Sequence, residues 1–182
     1  PMNNVKAKKQ YGQNFLKDEN VLTKIIESMP NNSSHLVEIG PGLGDLTQKL
    51  VKYKEMTAYE VDVDLFSILQ SKFANQIESK KLKLIHTDVL EAWDKQDTLF
   101  DGKYDLIANL PYYIATNIIL RAFEDDNCEH IIVMIQKEVA KKFAASEGDK
   151  DFSSLGVMAK LISKESRILF DVPPTSFEPA PK

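Results

Sequence analysis

The sequence predicts an α/β domain of Rossmann-like type, a mostly parallel sheet with helices on both faces. Three observations carry this reading. Short apolar runs near 35–39, 56–60, 82–85, 104–108 and 130–135 alternate with stretches of helical periodicity. The first run ends in Gly40-Pro41-Gly42-Leu43-Gly44 and leads into a helical pattern, the strand, glycine loop and helix of a nucleotide-binding crevice. Polar groups suited to gripping a nucleotide then stand at the carboxyl ends of the strands that follow.

The elements follow in order. Asp18 opens a helix near 18–29 whose Val21, Leu22, Ile25, Ile26 and Met29 recur at a period near 3.6. His35-Leu36-Val37-Glu38-Ile39 is the first strand, and Leu46 and Leu50 share one face of the helix after the glycines. Met56-Thr57-Ala58-Tyr59 is the second strand. Asp62 and Asp64 open the next helix, which carries Leu65, Ile68, Leu69 and Phe73. Strands at 82–85 and 104–108, a helix around 115–124 and a strand at 130–135 continue the alternation. Helices near 137–145 and 154–162 are expected on either side of the polar Glu147-Gly148-Asp149-Lys150-Asp151, with a last strand at about 166–170.

The glycines read G-x-G-x-G, one residue short of the dinucleotide pattern. Dinucleotides rest a pyrophosphate on a helix N-terminus. S-adenosylmethionine has no phosphate, so Gly40 and Gly42 need only let the backbone approach its sugar and methionine end. A plain strand-to-helix turn would look the same. Glu60, about twenty residues on, stands where a ribose is held through its hydroxyls, with Val61 beside it. Asp88 can accept from the adenine amine, and Val89 can flank the ring. Each acid taken singly is more commonly a helix cap. Three consecutive strands ending in suitable groups favour a methyl-donor site.

Asn109-Leu110-Pro111-Tyr112 follows the buried run Tyr104–Ala108, where a strand opens into a loop. An adenine exocyclic nitrogen is a poor nucleophile because its lone pair is conjugated into the ring. The Asn109 side-chain oxygen and the Leu110 carbonyl can each accept one of its N–H groups. That draws the nitrogen toward tetrahedral geometry and frees the lone pair. Pro111 fixes the turn without adding a donor, and Tyr112 offers a face for a splayed base. An ordinary Asn-x-Pro turn is the plain alternative.

With Gly12-Gln13-Asn14-Phe15-Leu16, Glu38-Ile39-Gly40-Pro41-Gly42-Leu43-Gly44, Glu60, Asp88, Asn109-Leu110-Pro111-Tyr112, Met134–Ala140 and Ser176–Lys182, nearly the whole chain resembles the ribosomal RNA adenine N6,N6-dimethyltransferase family. The resemblance implies a class I S-adenosylmethionine-dependent methyltransferase fold. Its site would have Gln13, Asn14 and Leu16 on the methionine side of the cofactor. Gly40, Gly42, Glu60, Val61, Asp88, Val89 and Asn109 would complete the cofactor contacts, and Phe177 would join Tyr112 near the flipped base. Leu110 favours the small-subunit enzymes, because the erythromycin-resistance methylases of large-subunit RNA usually carry Ile in that slot. The implied partner is small-subunit ribosomal RNA, free or in an assembling subunit. A non-catalytic assembly factor with a vestigial core is the alternative from another class. A nicotinamide-dependent oxidoreductase is disfavoured by the glycine spacing.

Composition sets bounds. The chain has 182 residues, enough for one domain with a real core. No apolar run approaches a membrane span, no signal-peptide pattern opens the chain, and the lone Cys128 cannot form an internal disulfide. A cytoplasmic monomer without a metal is the economical expectation. Pro1 ahead of Met2 reads as a remnant of tag removal. The net charge of -4 does not announce an RNA binder, although Lys6, Lys8 and Lys9 form a basic arm and Lys137, Lys141 and Lys142 cluster on one expected helix. The catalytic domain is expected to cover 1–171, with 172–182 a linker toward a helical domain. The resemblance also implies that one antiparallel strand is missing between 130–135 and 166–170. In that case the tail from about Arg167 would be poorly anchored.

Overall fold

The structure, a computed structural model, describes Lys8 and residues 15–136, 155–160, 166–172 and 176–178. Five parallel strands form the frame: β2 (His35–Ile39), β3 (Met56–Glu60), β4 (Leu82–His86), β5 (Tyr104–Asn109) and β6 (Cys128–Gln136). Two antiparallel strands, β7 (Leu155–Lys160) and β8 (Ser166–Val172), extend it to the order β4-β3-β2-β5-β6-β7-β8. A separate two-stranded pair joins β1 (Phe15–Leu16) to β9 (Phe177–Glu178).

The helices cover both faces, and strand alternation sorts the core accordingly. α1 (Glu19–Ser28), α2 (Asp45–Leu50), α3 (Val63–Lys72) and α4 (Ala74–Glu78) lie with Leu22, Ile25, Leu36, Leu50, Leu69 and Phe73 in one apolar cluster. α5 (Val89–Gln96) and α6 (Tyr112–Glu124) lie with Val37, Trp93, Tyr104, Leu106, Ile118 and Ile119 in the other. Asp18 caps α1 by accepting from the Asn20 and Val21 amides, and Asp62 caps α3 in the same way through Asp64 and Leu65.

Two expectations are corrected. The 154–162 segment, expected as a helix, holds strand β7, which pairs β6 over Ile131–Gln136 and β8 over Ser166–Val172. The strand taken to be missing is thus supplied from within the chain, and residues 166–170 are anchored in the sheet. The physical reason is the edge of β6, whose backbone groups need partners; Gly156 and Val157 give a helix there little support. Second, the helix expected from 115 begins at Tyr112. The expected helix at 137–145, with Lys137, Lys141 and Lys142, lies outside the described residues, as do Lys6 and Lys9.

Among the described residues no helix is long and apolar enough to cross a membrane, and no cluster of His, Cys, Asp or Glu is placed to hold a metal.

Candidate functional site

β2 is followed by β3 and β4 on one side of the sheet and by β5 and β6 on the other. The crevice outside the carboxyl ends of the strands therefore opens at the β2/β5 boundary, the switch point where such sheets bind ligands. In register, Ile39 pairs with both Tyr59 and Ala108, and Glu60 pairs with His86. Gly40, Glu60, Asp88 and Asn109 consequently follow one another along one rim.

Gly40 has φ +70°, and a β-carbon there would lie 3.6 Å from the Asn109 carbonyl oxygen. The glycine loop thus lies directly against the end of β5. At Gly42, φ +62°, an added β-carbon would meet the Phe15 ring at 3.1 Å. A side chain there would be strained and would press on the aromatic wall that β1 presents. Gly40 and Gly42 both hold a left-handed φ, and at Gly42 the Phe15 ring of β1 leaves a side chain little room as well.

Glu60 is buried, and its carboxylate joins two elements. Oε1 accepts from the Gly42 amide at 3.3 Å, and Oε2 accepts from the Asp62 amide at 3.0 Å. Burial pushes its pKa up, against those amide hydrogen bonds. Each oxygen retains a second lone pair, the inventory needed for two vicinal hydroxyls. Asp88 caps α5 by accepting from the Leu90 amide at 2.9 Å and is half-buried at the rim. Val61 is 40% exposed on that rim, and Val89 is buried at the first position of α5.

At the end of β5, Asn109 is half-buried and Leu110 is anchored, its amide donating to the Met134 carbonyl at 3.1 Å and its side chain buried. Pro111, with φ -60° and ψ 141°, opens α6, and its carbonyl accepts from the Ile114 and Ala115 amides. The tetrapeptide is therefore a strand-to-helix junction with almost no loop. The Tyr112 ring lies outside the described part of the structure.

Leu16 is buried opposite Phe177 in the β1–β9 pair. Phe177 itself is 2% exposed and belongs to the core cluster that Leu16 joins. Gln13 and Asn14 lie outside the described residues. Lys8, expected in a basic arm, binds the Asp62 and Asp64 carboxylates at 3.0 and 2.6 Å.

Glu38 was not singled out by sequence reasoning, although a carboxylate inside an otherwise apolar strand was a visible signal. It is buried beneath the glycine loop, accepts from the Thr47 hydroxyl at 2.5 Å, and is pushed up to about 8 by burial, with Glu60 adding to the effect. Between its ordinary value of 4.5 and about 8, the folded state holds a proton that the unfolded chain has lost. Stability contributed by Glu38 is thus complete below pH 4.5 and falls as pH rises toward 8. Glu38→Gln removes this slope. Urea unfolding of the ligand-free protein should show the variant gaining on the parent between pH 5 and 8, by on the order of a few kcal/mol. Parallel pH profiles would refute it.

Comparison with known proteins is decisive at this point. The family model described as "Ribosomal RNA adenine dimethylase" matches residues 4–182. The chain belongs to that family. Within the ribosomal RNA adenine dimethylases, it is 73% identical over 181 residues to the "Ribosomal RNA small subunit methyltransferase A" of Aliarcobacter butzleri, covering all of this chain and 68% of the relative. It is 55% identical to the protein of the same name from Sulfurimonas denitrificans, of which it covers 67%. Among solved structures, a dimethyladenosine transferase from Plasmodium falciparum shares 26% identity and a TM-score of 0.70 over 92% of this chain and 59% of that one. The 23S rRNA methyltransferase ErmE, at 23% identity, shares the fold with a TM-score of 0.75, over 93% of this chain and 66% of its own.

Proposed function

We propose that this chain transfers methyl groups from S-adenosylmethionine to the exocyclic N6 amine of adenosines in small-subunit ribosomal RNA, yielding N6,N6-dimethyladenosine during ribosome assembly. The observation that supports this is the closeness of Gly40 to the Asn109 carbonyl at the sheet's switch point, as a methyl-donor loop beside an amine clamp requires. The family and its small-subunit relatives supply the RNA.

The cofactor suits the residues present. Gly40 and Gly42 leave bare backbone for its methionine end, which Gln13, Asn14 and Leu16 would bound. Glu60 has lone pairs for the ribose, and Asp88 has a carboxylate for the adenine amine, with Val61 and Val89 beside the ring. When bound, S-adenosylmethionine supplies an electrophilic methyl on a sulfonium. Asn109 and the Leu110 carbonyl accept the two N–H bonds of the target amine and aim its lone pair. Pro111 fixes their spacing, and Tyr112 stacks the base. Transfer then relies on proximity and orientation, with no strong general base. The methylated amine is acidic enough to lose its proton to water. One N–H survives the first transfer, so the same acceptors serve a second after cofactor exchange. We assign the work to a cytoplasmic monomer acting on the assembling small subunit.

The test is incorporation of labelled methyl groups into unmethylated small subunits, followed by nucleoside digestion. N6,N6-dimethyladenosine is the expected product. Saturable cofactor heat without incorporation would point to a binding module, and no saturable heat at all to a vestigial core. Either result overturns the proposal.

A further inference from the structure

We propose that His86 is a positioning residue for the adenine end of the cofactor, tying the end of β4 to the end of β3. The inference rests on the reading of Val61 and Asp88 as the walls of the adenine site. β4 is the outer strand of the sheet, so only β3 holds it from the side. Past His86 the ladder ends, and Asp88 follows two residues later. Ladder pairing therefore does not fix the spacing between Val61 and Asp88.

His86 supplies the missing tie. Its Nε2 lies 3.1 Å from the Val61 carbonyl oxygen, and its ring stacks on Phe66 of α3 with centroids 5.2 Å apart and planes 27° from parallel. A carbonyl only accepts, so Nε2 carries the proton in this contact, in the neutral ring or the imidazolium alike. Phe66 fixes the plane of the ring and Val61 fixes its edge. The imidazole thereby joins β4, the β3–α3 turn and α3 at this corner of the rim. Exposed edge-strand histidines are common, but this one is held by two directed contacts, one to Val61 between Glu60 and Asp62 and one to Phe66 of α3.

The consequence is selective. Loss of the tie should blur recognition of the adenine amine by Asp88 and leave the chemistry at Asn109 untouched. The probes are S-adenosylhomocysteine and S-inosylhomocysteine, which differ at that amine, titrated calorimetrically into the whole protein. Wild type should prefer the adenosyl compound by about tenfold, the worth of one hydrogen bond. In His86→Ala the adenosyl compound should weaken about fivefold to tenfold and the inosyl compound little, with kcat at saturating cofactor unchanged. His86→Gln, which keeps an N–H at similar reach, should restore most of the preference. Equal weakening of both ligands, or an unchanged preference, would overturn the role of His86 alone. No preference in wild type would overturn the adenine assignment itself and His86 with it.

Discussion

Asn109→Ala should abolish methyl transfer while leaving cofactor affinity within a few-fold of the parent. Asn109 stands at the last position of β5, with the glycine loop against its carbonyl and Leu110 tied to Met134. Truncation past the β-carbon leaves that backbone in place, so the methyl-donor side keeps Glu60, Asp88 and both glycines. What disappears is one of two acceptors for the target amine, and with it the pull that frees the nitrogen lone pair. Removing one such preorganised group costs on the order of 10²–10³ in kcat in other enzymes. Here the loss should reach at least the upper end, because no general base shares the work. Single-turnover transfer and calorimetric titration on the same preparation separate the two effects. Near-normal turnover would defeat the assignment of the amine clamp.

The largest effect on stability should come from Asp125→Ala. Asp125 follows α6, and its Oδ2 accepts from Trp93 Nε1 at 3.0 Å and from the Tyr104 hydroxyl at 2.5 Å. Oδ1 accepts from the Asn127 amide at 3.0 Å. Trp93 and Tyr104 are fully buried, so the variant orphans two donors that water cannot reach. At about 1–3 kcal/mol each, with the lost packing added, the cost is roughly 3–5 kcal/mol, and Tm should fall by on the order of 10 °C. Burial alone raises the Asp125 pKa; the hydrogen bonds from Tyr104, Trp93 and Asn127 outweigh this and hold it below the usual 3.8. Its contribution is therefore present above pH 4 and is lost as pH falls through the lowered value. The parent should lose stability in that acid range more steeply than the variant. A Tm within 2 °C of the parent would show that the network carries little.

The sequence made the frame legible where two periodicities were unambiguous. β2 to β6 fall within two or three residues of their expected bounds, because apolar runs closed by Gly, Asp or Asn leave little choice. Asp18 and Asp62 were readable as caps for the same local reason. Residues 154–162 failed because their identity is settled by an open sheet edge far away in the sequence. Phe177 is different: an aromatic between Ser and Glu can face a ligand or a core, and its place opposite Leu16 of β1 is not legible in the sequence. Glu38 and His86 were on the page as letters, but a buried proton and a tie across a rim become visible only when neighbouring strands are placed.

The joining of β1 to β9 sets an order of assembly. Phe15, the wall beside Gly42, is held by a strand that pairs with residues more than 150 positions later, and Ser176 donates to Asp18 from the same distance. Contacts of such separation carry the loop-closure cost of nearly the whole domain and form late. As the chain leaves a ribosome amino terminus first, the glycine loop and its strands are made long before that wall has anything to rest on. The strand that carries Phe15 thus finds its partner only after residues 177–178 have been synthesised.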